Sequence, residues 1–201
     1  DIQFGNVQRP THWNTSWDYA KFETVGHQWA DLSEHGYGIS LLNDCKYGYD
    51  IKDSTMRLSL IKSGTYPDYL QDQGSHSFTY SLLPHEGDWR DGGTVQEAWY
   101  LNQPLKALEG KLKLKDFSLF QISSNHCMID AVKKAEDEDK IIVRIHEFMG
   151  KRGKVELTSD ALIQSWQECN LMEQPTGDKQ QNSKLTFELK PYEIKTFLVE
   201  I

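Results

Sequence analysis

What this sequence lacks excludes several classes of protein at once. No stretch approaches the roughly 20 consecutive apolar residues of a membrane helix, and only 38% of residues are apolar, so no membrane span is expected. Cations are in deficit: 22 Lys and Arg stand against 30 Asp and Glu, a formal charge of -8. With no basic cluster to offset it, that charge repels phosphate backbones and argues against nucleic acid as a partner. The three cysteines, Cys45, Cys127 and Cys169, are far apart and odd in number. Such usage fits reduced thiols rather than a disulfide framework and predicts a cytoplasmic home. Seven histidines are present, yet none sits in an HExxH or HxD spacing and no CxxC occurs, so no metal centre is expected within the chain. A GxSxG elbow and a phosphate-cradling glycine loop are missing too, which disfavours nucleophilic and nucleotide-dependent chemistry. The chain opens at Asp1 without an initiator methionine and runs at once into patterned sequence; it is expected to be a piece of something longer.

Period-two alternation dominates what is present. In HSFTYSLLPH, Phe78, Tyr80 and Leu82 form the apolar face of a half-buried strand, opposite Ser77, Thr79 and Ser81. MRLSLIKS repeats the pattern with Met56, Leu58 and Leu60, and KIIVRIHEF predicts a strand covered partly on both faces. SKLTFELKPYEIKTFLVEI reads as two strands hinged at Pro191. Between these runs lie Gly, Asp, Asn and Pro clusters with turn chemistry, and EDED (Glu136 to Asp139) is a solvated hairpin tip. Helix is scarce; the segment around Ala98 leans to strand, and Ala161 to Cys169 is open either way. A proline and a Lys-rich stretch at Leu101 to Lys115 act as a linker or crossover. The predicted class is all-β, an antiparallel β-sandwich architecture. It is built as one large split sandwich or as two packed β-domains, 1–105 and 106–201.

Chemistry concentrates in loops. Sugar rings present apolar C–H faces to aromatic side chains and hydroxyls to Asp, Asn, Arg and His, and six tryptophans with nine tyrosines suit that task. Two loops between convincing strands are the candidates. LLNDCKYGYD offers Asn43, Asp44, Lys46 and Tyr47, and TYPDYLQDQGSH offers Asp68, Asp72 and His76. A glycosidase needs two carboxyl groups across the scissile bond; Asp44, Asp68 and Asp72 are the residues available, though for any single one an ordinary well-bonded loop is the slightly better explanation.

The ordered series RPTHWNTSWDYAKFE, HQWADLSEHGYGISLLNDCKYGYD, MRLSLIKSGTYPD, HSFTYSLLPHEGDW and KPYEIKTF resembles the C-terminal β region of the α-mannosidases of glycoside hydrolase family 38, especially the cytosolic and bacterial branch. The resemblance implies a parent that is a retaining exo-α-mannosidase, with zinc held by two histidines and two aspartates in an N-terminal catalytic region. No position of this chain matches those motifs, so the resemblance assigns it no catalytic or metal residue and implies that alone it is inert. It further implies that the chain packs on the N-terminal catalytic domain and lends its loops to the active-site rim, next to a mannose-containing oligosaccharide. A free-standing carbohydrate-binding sandwich is the competing reading. The first predicts an exposed apolar patch with Trp13 or Trp17 in it, through which a homo-oligomer is a compatible outcome.

Overall fold

The computed structural model describes residues 1–111, 113 and 116–201, which fall into two compact units, Asp1–Leu108 and Glu109–Ile201. Both are built from antiparallel sheets. The stretch expected as a linker begins inside a helix that runs to Asn102, and its Leu112, Leu114 and Lys115 lie outside the described residues.

Unit 1 contains α1 (Ser16–Tyr19), β1 (Thr24–Val25), β2 (Trp29–Glu34), β3 (Tyr37–Asn43), β4 (Gly48–Lys52), β5 (Thr55–Leu58), β6 (Tyr80–Glu86) and α2 (Thr94–Asn102). One sheet runs β1-β4-β5, the other β2-β3-β6. In the second sheet the face carrying Trp29, Asp31, Ser40 and His85 lies under α2, whose Thr94, Val95 and Ala98 are buried. A polar network fills this layer. The Asp31 carboxylate accepts from Ser33 Oγ (2.8 Å), Ser40 Oγ (2.7 Å) and His85 Nε2 (2.8 Å), while Ser40 and Thr94 hydroxyls meet at 2.7 Å. Asp31, Ser40, His85 and Thr94 thus satisfy one another, as a buried network requires. Gly38 and Gly92 flank the His85 ring so closely that a Cβ on either would collide with it.

Two expectations fail in this unit. The segment around Ala98 is helix, not strand, because its buried residues, Thr94, Val95 and Ala98, fall at helical spacing and are small enough to rest on the sheet. The burial of β6 is also inverted: Ser81, Leu83 and His85 face inward, whereas Tyr80 and Leu82 are 57% and 60% exposed. His85 can occupy the interior because Asp31 and Ser40 satisfy it, so the apolar alternate positions turn outward.

Unit 2 is a two-sheet sandwich. Its strands are β7 (Gln121–Ile122), β8 (Cys127–Lys134), β9 (Ile141–Glu147), β10 (Gly153–Thr158), β11 (Ser165–Cys169), β12 (Leu185–Leu189) and β13 (Ile194–Glu200). The orders are β12-β10-β7 and β11-β13-β9-β8. Val143, Ile145, Phe197 and Val199 from one sheet meet Val155, Leu157, Leu185 and Phe187 from the other in one core. Burying each such side chain contributes about 1.5–3 kcal/mol. Strand β9 is covered on its second face as well, where Ile142 packs with Leu198, Cys169 and Ala135. Trp166 stands edge-on to Phe197 at 5.7 Å. Pro191 lies between β12 and β13, which belong to different sheets, so the expected hinge carries the chain across the sandwich. The segment left open between helix and strand resolves as β11.

One carboxylate organises the end of this sandwich. Glu147 is fully buried and accepts four backbone N–H groups, from Met149 (2.9 Å), Gly150 (2.9 Å), Lys151 (3.0 Å) and Tyr192 (2.9 Å). It joins the turn after β9 to the turn before β13. Nearby, β8 carries a bulge between Ile129 and Ala131; the intervening Asp130 reaches His146 Nδ1 with both oxygens, at 2.7 and 2.8 Å.

Candidate functional site

The seven residues singled out in the sequence divide into two local groups. Asn43 is buried and acts as a structural hub. Its Oδ1 accepts from Cys45 N (3.0 Å) and Lys46 N (2.5 Å), and its Nδ2 donates to His27 O (3.0 Å) and to the Tyr49 hydroxyl. Burial pushes the Tyr49 phenol up to about 12, so it stays a neutral partner. Asp44 is exposed, and its Oδ1 accepts from Thr79 N at 3.0 Å. That backbone donor holds the Asp44 carboxyl below its ordinary range, and Asp44 in turn raises the Cys45 thiol through their hydrogen bond. The Lys46 ammonium lies 5.1 Å from the Phe78 ring centre, and Tyr47, 57% exposed, meets His27 edge-on at 5.6 Å. The loop Asn43–Tyr47 is thereby tied to the chain that leads into β6.

Asp68, Asp72 and His76 lie in the long connection between β5 and β6, residues 59–79, of a length that is uncommon without a function. Their bonds close within that loop. Asp68 Oδ1 accepts from Leu70 N (2.9 Å), and His76 Nε2 donates to Asp72 O (2.8 Å). Asp72 has φ +59°, a conformation that Asp tolerates. Tyr66 and Tyr69 on the same loop are 87% and 73% exposed. Among the described residues no group of three His, Cys, Asp or Glu side chains could hold a metal ion.

A groove of about 560 Å³ in unit 1 went unnoticed in the sequence. Its walls are the extended segment Asn6–Trp13, strand β2, and the turn Asp88–Arg90. Arg9 Nη1 donates to Val25 O (2.8 Å) and Asp53 N to Thr11 O (2.8 Å), which tether the extended segment. Trp89 is packed between Trp29, 5.1 Å between centres, and the Arg90 guanidinium at 4.2 Å; the Lys52 ammonium covers Trp13 at 4.1 Å. With those indole faces taken, the aromatic residues here shape the walls. At one end the amino group of Asp1 is pulled down to about 5 by burial, with Arg9 adding to the effect. The groove is assembled from segments far apart in the sequence, and no local pattern announces it.

The opening stretch RPTHWNTSWDYAKFE serves backbone geometry. Thr15 and Asp18 form a capping box on α1 (Asp18 N to Thr15 Oγ1, 3.2 Å; Thr15 N to Asp18 Oδ2, 3.1 Å). Glu23 accepts from Ser59 Oγ (2.5 Å) and lies 3.4 Å from Lys62, fixing the start of β1 against the end of β5. Trp17 is 79% exposed, with Tyr19 and Phe22 also exposed beside it.

The antiparallel sheets of both units define an all-β class of protein, and comparison with known proteins gives that class a family. The family described as "Glycosyl hydrolases family 38 C-terminal domain" matches residues 1–70, and "Glycosyl hydrolases family 38 C-terminal beta sandwich domain" matches residues 126–197. Alpha-mannosidase G of Dictyostelium discoideum is 41% identical over 98% of this chain and 19% of its own length. Alpha-mannosidase 2C1 of Homo sapiens is 40% identical over 99% of this chain and 20% of its own length. An alpha-mannosidase from Enterococcus faecalis V583 shares the fold, with a TM-score of 0.78 at 21% identity over all of this chain and 24% of that one. The chain belongs to glycosyl hydrolase family 38, as the C-terminal part of its α-mannosidases. It spans about a fifth of the length of the curated relatives it matches, and their catalytic domain lies outside it.

Proposed function

We propose that this chain is the non-catalytic C-terminal β region of a retaining exo-α-mannosidase. In this reading it packs on the zinc-dependent catalytic domain of the same protein, works in the cytoplasm, and lends the loops Asn43–Tyr47 and Asp68–His76 to the rim around a mannose-containing oligosaccharide. The observation that carries this reading is similarity to α-mannosidases along nearly the whole chain, at 40% and 41% identity. The outward side chains agree with it: Trp17, Tyr19 and Phe22, and separately Tyr80 and Leu82, present apolar surface suited to a protein partner. The domain division after Leu105 belongs to the same reading. In this reading the zinc ligands and reacting carboxylates belong to the catalytic domain. The zinc would supply Lewis-acid stabilisation of the substrate hydroxyls; the residues of this chain would shape the rim and exclude water from it.

Hydrolysis of 4-nitrophenyl α-mannoside tests the reading. Activity in the longer protein and none in the 201-residue chain is the expected result. An inactive longer protein would remove the mannosidase reading. Millimolar binding of mannose or mannobiosides by the 201-residue chain alone would favour a free-standing carbohydrate-binding sandwich.

A further inference from the structure

The sheet β2-β3-β6 has two edges that are finished differently. On the β6 side, Asp44 N donates to Thr79 O at 3.1 Å. Alternation then gives Ser81, Leu83 and His85 the bonds to β3 and turns the backbones of Tyr80, Leu82, Pro84 and Glu86 outward. Pro84 stands at an outward position and has no N–H to offer, a device that closes an edge to further pairing. On the β2 side, Asn43 N donates to Gln28 O at 2.9 Å, so Ala30, Leu32 and Glu34 bond to β3 while Trp29, Asp31 and Ser33 turn N–H and C=O outward. No proline interrupts this edge, and it forms a wall of the 560 Å³ groove.

One end of the β2 edge already has a partner. Asp1 N donates to Trp29 O (3.1 Å), Asp1 O accepts from His27 N (3.3 Å), and the Asp1 carboxylate accepts from Gln28 N (2.9 Å). From its nitrogen to its carbonyl, Asp1 meets residue 29 and then residue 27, the antiparallel sense. A polypeptide arriving at Asp1 from upstream in that direction passes Asp31 and Ser33.

We propose that the groove beside β2 is the bed of one further antiparallel strand, supplied by the segment that precedes Asp1 in the longer protein. This rests on the reading of the chain as the C-terminal part of a family 38 protein, whose relatives are about five times its length. As a peptide N–H, the nitrogen of Asp1 keeps its bond to Trp29 O without burying an ammonium group. At about 3.3 Å per residue, roughly three or four extended residues cover Asp31 and Ser33. Main-chain bonds to the edge hold such a strand, and its alternate side chains enter the space bounded by Arg9, Trp13 and Arg90.

Residue-resolved amide hydrogen exchange on the 201-residue chain and on the longer protein tests the proposal. The amides of Ala30 and Leu32, bonded to β3, are expected to be protected in both. Those of Asp31 and Ser33 are expected to exchange freely in the 201-residue chain and about 100-fold or more slowly in the longer protein. Equal rates for Asp31 and Ser33 in the two proteins would overturn the proposal. Protection in the 201-residue chain that grows with its concentration would overturn it too, by making a second copy the occupant. Ser33→Pro is expected to lower the Tm of the longer protein by more than that of the 201-residue chain, where the loss is confined to the Ser33 Oγ bond to Asp31 and the strain of the ring; an equal loss in both counts against the strand. α-Mannosidase activity of the longer protein is measured in parallel. Protection without activity keeps the strand and removes the mannosidase reading, and activity without protection does the reverse.

Discussion

Removing the Glu147 carboxylate is expected to be among the most damaging single changes in unit 2. The group is fully buried and satisfies four backbone N–H groups from two turns, all at 2.9–3.0 Å. Hydrogen bonds to a charged acceptor are worth about 1.5–3 kcal/mol each, though four bonds to one group do not add. Glu147→Ala leaves those donors unpaired, and a loss of about 3–5 kcal/mol follows by analogy with breaking other buried charged contacts. Glu147→Gln fares little better. Oε1 serves Met149 and Lys151 while Oε2 serves Gly150 and Tyr192, so the new amide NH₂ must face two N–H donors. Urea unfolding read by thiol labelling isolates the effect, because Cys127 and Cys169 are buried in unit 2 whereas Cys45 is exposed and serves as the internal control. With an m-value of about 2 kcal/mol/M, a 4 kcal/mol loss moves the labelling midpoint of the two buried thiols down by about 2 M. A midpoint shift below about 0.5 M for Glu147→Ala would refute the reasoning and mean that water replaces the carboxylate at little cost.

Further outcomes are expected elsewhere. Gly92→Ala puts a Cβ into the His85 ring and should cost about 1–3 kcal/mol, seen as a lower thermal midpoint for unit 1 with unit 2 unaffected. Asp130→Ala removes both carboxylate contacts to His146 Nδ1 at the β8 bulge and should lower the labelling midpoint of Cys127 and Cys169; an unchanged midpoint would show that the bulge does not depend on the carboxylate. Asp44 is held below the ordinary carboxyl range by Thr79 N–H, so its contribution is present above the unfolded-state value and is lost as pH falls through the lowered one. The Thr79 amide should accordingly exchange faster only at acid pH, and Asp44→Asn should abolish that pH dependence. Trp17→Ser, at a 79% exposed site, should change the stability of the 201-residue chain by no more than about 0.5 kcal/mol. In the longer protein the same change should weaken domain association, measured as a lower Tm.

The sequence made the architecture legible wherever a strand has one apolar and one polar face, or two apolar ones. The alternation of Val143 with Ile142 and of Phe197 with Leu198 marks β9 and β13 as strands buried on both sides, and Pro191 marks the passage between sheets. The pattern misled where polar residues are satisfied inside. Ser81 reads as a polar-face position opposite Tyr80 and Leu82, yet it lies on the inward side of β6 with Leu83 and His85, where His85 is satisfied by Asp31 and Ser40. The segment around Ala98 leans to strand in the sequence because small residues, Thr94 and Ala98, carry much of the buried side of helix α2 and leave no strong helical stripe. For the candidate loops the residue types were visible but not their commitments: Asn43 and Asp68 are spent on neighbouring N–H groups. The groove along β2 was invisible for a different reason, since an open sheet edge is a property of the backbone and leaves no mark on side-chain chemistry.

The placement of Trp166 against Phe197 has a spectroscopic consequence. Five of the six tryptophans, Trp13, Trp17, Trp29, Trp89 and Trp99, belong to unit 1, and Trp166 is alone in unit 2. Its buried indole N–H has no hydrogen-bond partner among the described residues. An indole so placed senses little solvent relaxation and should emit toward the blue. With the other five replaced by phenylalanine, the emission of the chain becomes a single-chromophore record of how β11 and β13 close over the sandwich core.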